Sequence, residues 1–302
     1  MSNPKHEQAV FYVNRHPSGK VKLAVTDIDG ILRGKTIRRD KFFSILDKGF
    51  GFCDVVLGWD SQDAAYDNTQ FTGWHTGYPD TNAKVDMGTF RKIPWDDELP
   101  FFLADFCSED DKILPICPRG LLKQIKQRAL DMGYNPAFAE EFEWFNFAET
   151  PQSLEEKGYR NAQPITPGMF GYSMIRSSQN KAFFNDLFDL MEKFDVPIEG
   201  LHTETGPGVY EAAIAFSDAL TQADRAILFK TGTKEIGARF GIMPSFMAKW
   251  NAAYPGCSGH IHQSLSDGKK NLFADAKGRH GMSKMFESYL AGQVAHLMEF
   301  AP

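Results

Sequence analysis

The chain has 302 residues, enough for two domains or one large α/β unit and too many for a single small module. With 42% hydrophobic and 24% charged residues it can bury a core, which excludes a disordered chain. Lys and Arg number 33 against 39 Asp and Glu, a net charge of -6, so there is no broad basic field for a nucleic-acid backbone. The N-terminus, MSNPKHEQAV, has no apolar run, and no stretch of about 18 apolar residues follows, which speaks against a secretory leader or a membrane helix. Cys53, Cys107, Cys117 and Cys257 form no C-x-x-C pair and read as reduced thiols of a cytoplasmic protein. To about residue 110, short extended runs such as VKLAVTD (21–27) and GILRGKTI (30–37) predict a small, sheet-rich domain with few helices.

A helix is predicted from Pro118, with Leu121, Leu122, Ile125 and Ala129 on its apolar face and Gly133 as its stop. PAFAEEFEWFNF (136–147) alternates, setting Glu141 and Glu143 on one face and Phe142 and Trp144 on the other, as in a strand covered on both sides. Residues 178–194 have helical spacing, 196–204 turn extended, and a Gly-Pro-Gly turn at 206–208 predicts a hairpin over 197–216. Ser217 and Asp218 offer caps for a helix to about Arg239. IMPSFMAK (242–249) and SGHIHQSL (258–265) read as strands, and a helix from Ser283 to Phe300 closes the chain.

Four of these strands carry ionisable residues on positions expected to share a face: Glu141 and Glu143; Glu199, His202 and Glu204; Glu211; His260 and His262. Burying such charges together is costly unless something compensates. Carboxylate oxygens with imidazole suit divalent cations such as Mg²⁺ or Mn²⁺. Taken singly, each feature has a plainer reading: E-x-E is ordinarily a solvated face, and H-x-H a surface pair. Their recurrence in separate strands of one part of the chain favours the metal.

The order EFEWF (141–145), HTETGPGVYE (202–211), FMAKW (246–250) and GCSGHIHQSL (256–265) resembles the glutamine synthetase superfamily. That resemblance implies an α+β fold: a small N-terminal β-grasp-like domain (1–112), then a catalytic domain (113–302) with a curved, mainly antiparallel sheet and flanking helices. It implies that Glu143, Glu204 and Glu211 ligate one metal, and Glu141 and His260 a second that bridges nucleotide phosphates. Glu199, His262 and Ser264 match nucleotide-contacting positions, Phe216 sits where an aromatic packs near adenine, and Gly256 lies against bound glutamate. The implied reaction joins glutamate to ammonia at the expense of ATP, through a γ-glutamyl phosphate. The implied assembly is a cytoplasmic ring-shaped homo-oligomer of stacked hexamers, a dodecamer, with no nucleic-acid or membrane partner.

The sequence also departs from the family. Where assimilatory enzymes carry D-G-S-S in the ammonium pocket, this chain reads GFCDVVLGWDSQD (51–63), with Asp54 and Asp60 as available acids. This leaves room for a larger primary amine or polyamine as acceptor. The family's Lys-Pro pair is Lys249-Trp250. The final catalytic segments of the family are not present before Pro302, so the expectation is a truncated ligase with one metal site mostly kept, part of the second, and little turnover. A lengsin-like, non-catalytic structural homologue is the competing reading, and the metal-type residues weigh against it.

Overall fold

A computed structural model describes residues 4–300 apart from 109 and 111, so Pro302 lies outside the described residues. The first sheet-bearing part begins with helix α1 (Pro4–Arg15), followed by β1 (Lys20–Thr26), β2 (Leu32–Arg38), α2 (Arg39–Ile45), β3 (Phe50–Cys53), β4 (Asp80–Val85), β5 (Arg91–Ile93) and β6 (Leu99–Phe106). The strands run in the order β2-β1-β6-β4-β3, with β5 also on β6. The pair β1–β6 is parallel and the others are antiparallel. This is the expected β-grasp-like unit. Helices α1 and α2, which the sequence reading passed over, close one face. Only Ala9 and Val13, one turn apart, carry α1 into the core, too few apolar positions to register as a stripe. Phe42, Phe102, Phe106, Leu23 and Val25 fill the space between helices and sheet.

The chain continues through α3 (Pro118–Asp131), β7 (Asn135–Phe147), α4 (Pro151–Glu156), α5 (Met174–Gln179), α6 (Lys181–Lys193), β8 (Ile198–Thr203), β9 (Val209–Asp218), α7 (Ala219–Ala238), β10 (Met243–Ser245), β11 (Gly259–Ser266), α8 (Lys284–Ala295) and α9 (Leu297–Phe300). The second sheet is antiparallel throughout, in the order β10-β7-β9-β8. β10 pairs with residues 145–147 of β7, and β11 with residues 135–142. Irregular register in β7 and β8 gives the sheet its curl. The alternation along β7 holds: Trp144 and Phe145, on opposite faces, are both fully buried. The β8–β9 turn needs its glycines, since Gly208 has φ +71 and an added Cβ would stand 2.5 Å from the carbonyl oxygen of Asn146.

Three predicted elements need correction. In α3 the expected apolar face is largely on the surface, with Leu121 and Ile125 about half exposed, while Arg119 and Gly120 are buried. The helix is held by its charged first turn: Arg119 bonds Asp86, Asp105 and Asp224, and Lys123 bonds Asp86 and Asp105. The strand expected over 242–249 shrinks to β10, because Phe246 turns away to pack on Phe142, Trp144 and Phe229. The closing helix breaks at His296 into α8, capped by Ser283, and α9.

Helix α7 is buried on several sides and lies between the layers. One continuous cluster joins its Leu228, Phe229 and Ile236 to Trp144 and Tyr210 of the second sheet and to Ala24, Ile93, Phe101 and Leu103 of the first. Asp218 caps it, accepting the Leu220 and Thr221 N–H groups at 3.1 and 3.3 Å and the Thr221 hydroxyl at 2.6 Å. Lys126 also bonds Asp218. Asp218→Ala is expected to cost about 1–2 kcal/mol in urea unfolding, and Asp218→Asn clearly less.

Candidate metal centre

Register across the second sheet builds the site. Glu143 of β7 stands opposite Glu211 of β9, and Glu211 stands opposite His202 of β8, so these three form one lateral row. Two residues along β7, Glu141 faces His260 of β11 on one side and the small Ala213 of β9 on the other. Period-two alternation brings all five side chains to the same face.

Glu141 takes both histidines of β11, with His260 Nδ1 at 3.3 Å and His262 Nε2 at 3.2 Å from the same carboxylate oxygen. The hydrogen bond with His262, opposed by modest burial, leads in holding the Glu141 carboxyl below its ordinary range. Glu143 accepts the Ser258 N–H at 3.0 Å and its hydroxyl at 2.6 Å. His202 Nε2 lies 3.5 Å from Glu211, and Nδ1 lies 4.0 Å from Glu204. Glu211 is pushed up, first by burial and then by the charges of Glu143, Glu141 and Glu204, with His202 opposing.

Among the described residues, two groups have ligand atoms all within 4.8 Å of one another: Glu141, Glu211 and His260; and His202, Glu204 and Glu211. Converging carboxylates that repel, with few cations among them, are a donor set short of positive charge. Oxygen ligands with one imidazole per group fit a divalent ion such as Mg²⁺ or Mn²⁺. The site therefore fits the expected metals.

The other expected site residues lie outside these two groups, including Glu143, expected to share a metal with Glu204 and Glu211 but bonded here by Ser258, and His262, which lies against Glu141. Glu199 is exposed beside the irregularity of β8, and Phe216, near the end of β9, is 70% exposed. Ser264 accepts a hydrogen bond from Asn271 at 3.1 Å. Gly256 is in the loop before β11, where an added Cβ would come within 2.6 Å of the Ala248 carbonyl oxygen. Asp54 is buried and accepts the Thr72 hydroxyl at 2.6 Å, and Asp60 holds the N–H groups of Gln62 and Ala64. His202 is the member that sequence reading left without a role, although its alignment with Glu211 across the hairpin was the available signal. All four cysteines are free thiols, and burial pushes Cys257 up to about 12.

No helix of the described residues is long and apolar enough to cross a membrane. The family described as glutamine synthetase, catalytic domain, matches residues 115–302. Type-1 glutamine synthetase 2 of Dictyostelium discoideum is 54% identical over 284 residues, which cover 93% of this chain and 54% of that protein. A glutamate–isopropylamine ligase from a Pseudomonas species is 33% identical over 293 residues, covering 96% of this chain and 64% of its own. In fold, a solved GmaS/ADP complex superposes with a TM-score of 0.79 at 22% identity, covering 96% of this chain and 63% of that one. The chain thus spans between about half and two thirds of the length of these relatives. With a catalytic-domain match over residues 115–302 and a relative identical at 54% of aligned positions, the chain belongs to the glutamine synthetase family of ligases.

Proposed function

We propose that this chain carries the metal and nucleotide side of a ligase that forms glutamine from glutamate and ammonia, with ATP as the energy source. The observation that supports it is the pair of lateral rows, Glu143–Glu211–His202 and Glu141–His260, on one sheet face. A carboxylate is a poor acylating group, so the γ-carboxylate oxygen of glutamate attacks the γ-phosphorus of ATP and ADP leaves. The amine nitrogen then attacks the acyl carbon and phosphate leaves.

In this reading Glu143, Glu204 and Glu211 hold one divalent ion, and Glu141 with His260 contributes to a second. Bound Mg²⁺ or Mn²⁺ neutralises the phosphate oxygens and the carboxylate that must approach them. Ser258 orients Glu143, and His262 orients Glu141 from the nucleotide side. Glu199 and Ser264 contact nucleotide, the exposed ring of Phe216 packs near the base, and Gly256 lets the backbone approach glutamate. A carboxylate of the cluster attracts the ammonium and accepts its proton. The complete protein is a cytoplasmic ring-shaped homo-oligomer, a dodecamer.

One feature favours a larger primary amine as the second reading. Next to Glu204, where a Cβ on Gly171 would lie 3.6 Å from Oε1, the chain exposes Met169, Phe170, Tyr172, Met174 and Ile175. An apolar rim of this kind suits an amine with a hydrocarbon substituent. Phosphate release by the protein at the length of its relatives, over ammonium, methylamine, isopropylamine, ethanolamine and putrescine, separates the two. Ammonium is expected to give the highest kcat/KM. Strict preference for a bulky amine would replace the first reading by the second, and no glutamate-dependent release with any acceptor would remove both.

A further inference from the structure

His202 lies between a backbone carbonyl and a carboxylate, with one ring nitrogen facing each. Its Nδ1 is 3.1 Å from the carbonyl oxygen of Thr203. A carbonyl has no proton to give, so Nδ1–H is the donor, and in the neutral ring the lone pair is on Nε2. That nitrogen lies 3.5 Å from a Glu211 oxygen. A divalent cation between Nε2 and Glu211 would accept a lone pair from each.

The ring is also held. Tyr172 stacks on it with centroids 4.2 Å apart and planes 22° from parallel. Tyr172 is fixed in turn, since its N–H donates to the Thr203 carbonyl at 2.6 Å and the Ser173 N–H donates to the Thr203 hydroxyl at 2.8 Å. Thr203 is buried, and its hydroxyl donates to the Phe170 carbonyl at 3.0 Å. One β8 residue therefore orients both the imidazole and the ring that covers it. A ligating histidine typically has this arrangement, with its far N–H fixed by a backbone carbonyl.

We propose that His202 is a metal ligand, its Nε2 joining Glu204 and Glu211 on one divalent ion, with Tyr172 as a positioning residue. The inference rests on the reading that this cluster holds such an ion, and adds an imidazole to the three carboxylates named for it. Ligands about 2.1 Å from one ion stand roughly 3 to 4 Å apart, and the 3.5 Å between Nε2 and Glu211 falls in that range. His202, Glu204 and Glu211 each offer one ligand atom within 4.8 Å of the others, and the contact of the ring with Glu204 is from Nδ1 at 4.0 Å, so Nε2 reaches Glu204 through the ion.

The test is Mn²⁺ binding to the 302-residue chain, followed by titration and by pulsed EPR, which detects nitrogen directly bonded to Mn²⁺. Two imidazole nitrogens are expected in the unaltered chain, from His202 and His260. His202→Ala is expected to remove one of them and weaken Mn²⁺ binding at least tenfold, and His260→Ala to remove the other. Tyr172→Leu keeps both nitrogens and loses affinity only a few-fold. If His202→Ala fails to fold, His202→Gln serves, because it offers an oxygen in place of the nitrogen. An unchanged nitrogen signal and affinity in the folded His202 variant overturn the proposal alone. Absence of Mn²⁺ binding in the unaltered chain overturns both it and the metal reading beneath it.

Discussion

Replacing Arg119 by methionine is expected to destabilise the chain by about 3–5 kcal/mol, because it leaves buried carboxylates without their main partner. The Arg119 side chain is 5% exposed. Its Nε and Nη2 grip Asp224 bidentately at 2.8 and 2.9 Å, and its Nη1 reaches Asp86 and Asp105 at 2.9 Å. Without it, Asp86 and Asp105 keep only the ammonium of Lys123, and Asp224 loses its bidentate partner. Burial of the guanidinium works against its charge, yet Asp224, Asp105 and Asp86 together raise its pKa. Asp86 shows the matching effect: burial opposes its charged form, and Lys123 with Arg119 still holds the carboxyl below its ordinary value.

A depressed carboxyl contributes stability that is complete above its unfolded pKa, about 3.9 for aspartate, and is lost as pH falls through the lower folded value. The loss from Arg119→Met should therefore be largest near neutral pH and shrink as the pH falls, starting above the ordinary aspartate value, because buried carboxylates stranded without their cation protonate more readily. Urea unfolding at pH 7, 5 and 3.5 reads this directly. A cost below about 1 kcal/mol at pH 7 would show that the network is only a surface-like pairing. Adding Asp224→Asn to Arg119→Met should recover part of the loss, since one uncompensated charge is then removed.

Glu211→Gln is expected to split binding from stability. Glu211 is the one residue shared by both ligand groups, so its loss should lower Mn²⁺ affinity more than a hundredfold. The metal-free chain should instead become more stable, by a few tenths to about 1 kcal/mol. The reason is that burial and three neighbouring carboxylates disfavour the Glu211 charge when no cation offsets it. Thermal unfolding with and without Mn²⁺ measures both: the unaltered chain gains from the metal, and Glu211→Gln starts higher and gains little. A variant less stable than the original in the absence of metal would contradict this charge balance.

What could be read in the sequence follows from the range of each interaction. The β7 alternation, the β8–β9 hairpin and the cap of α7 are local patterns and were legible, as were Glu141, Glu143, Glu211 and His260 as partners on one face. The role of Arg119 was not, because at the start of an amphipathic helix it looks like a solvated cation. Its three aspartates come from β6, α7 and the residue after β4, and only the fold brings them together. The same limit applies to His202. It was placed on the shared face, but its cover, Tyr172, comes from a loop with no periodic signal. The apolar face of α3 was read correctly as a pattern, but spacing along a helix does not say what lies opposite.

The cluster around α7 bears on how the chain divides. Ile93, Phe101 and Leu103 come from before the boundary expected near residue 112, and Trp144, Leu228 and Phe229 from after it, yet they share one dry interior. Separating the two sheets would wet this cluster from both sides, while the core under α1 and α2 is a separate one. A boundary near residue 112 would thus be crossed by packed apolar side chains, and hydrogen exchange at Leu103 and Leu228 is expected to report one shared opening.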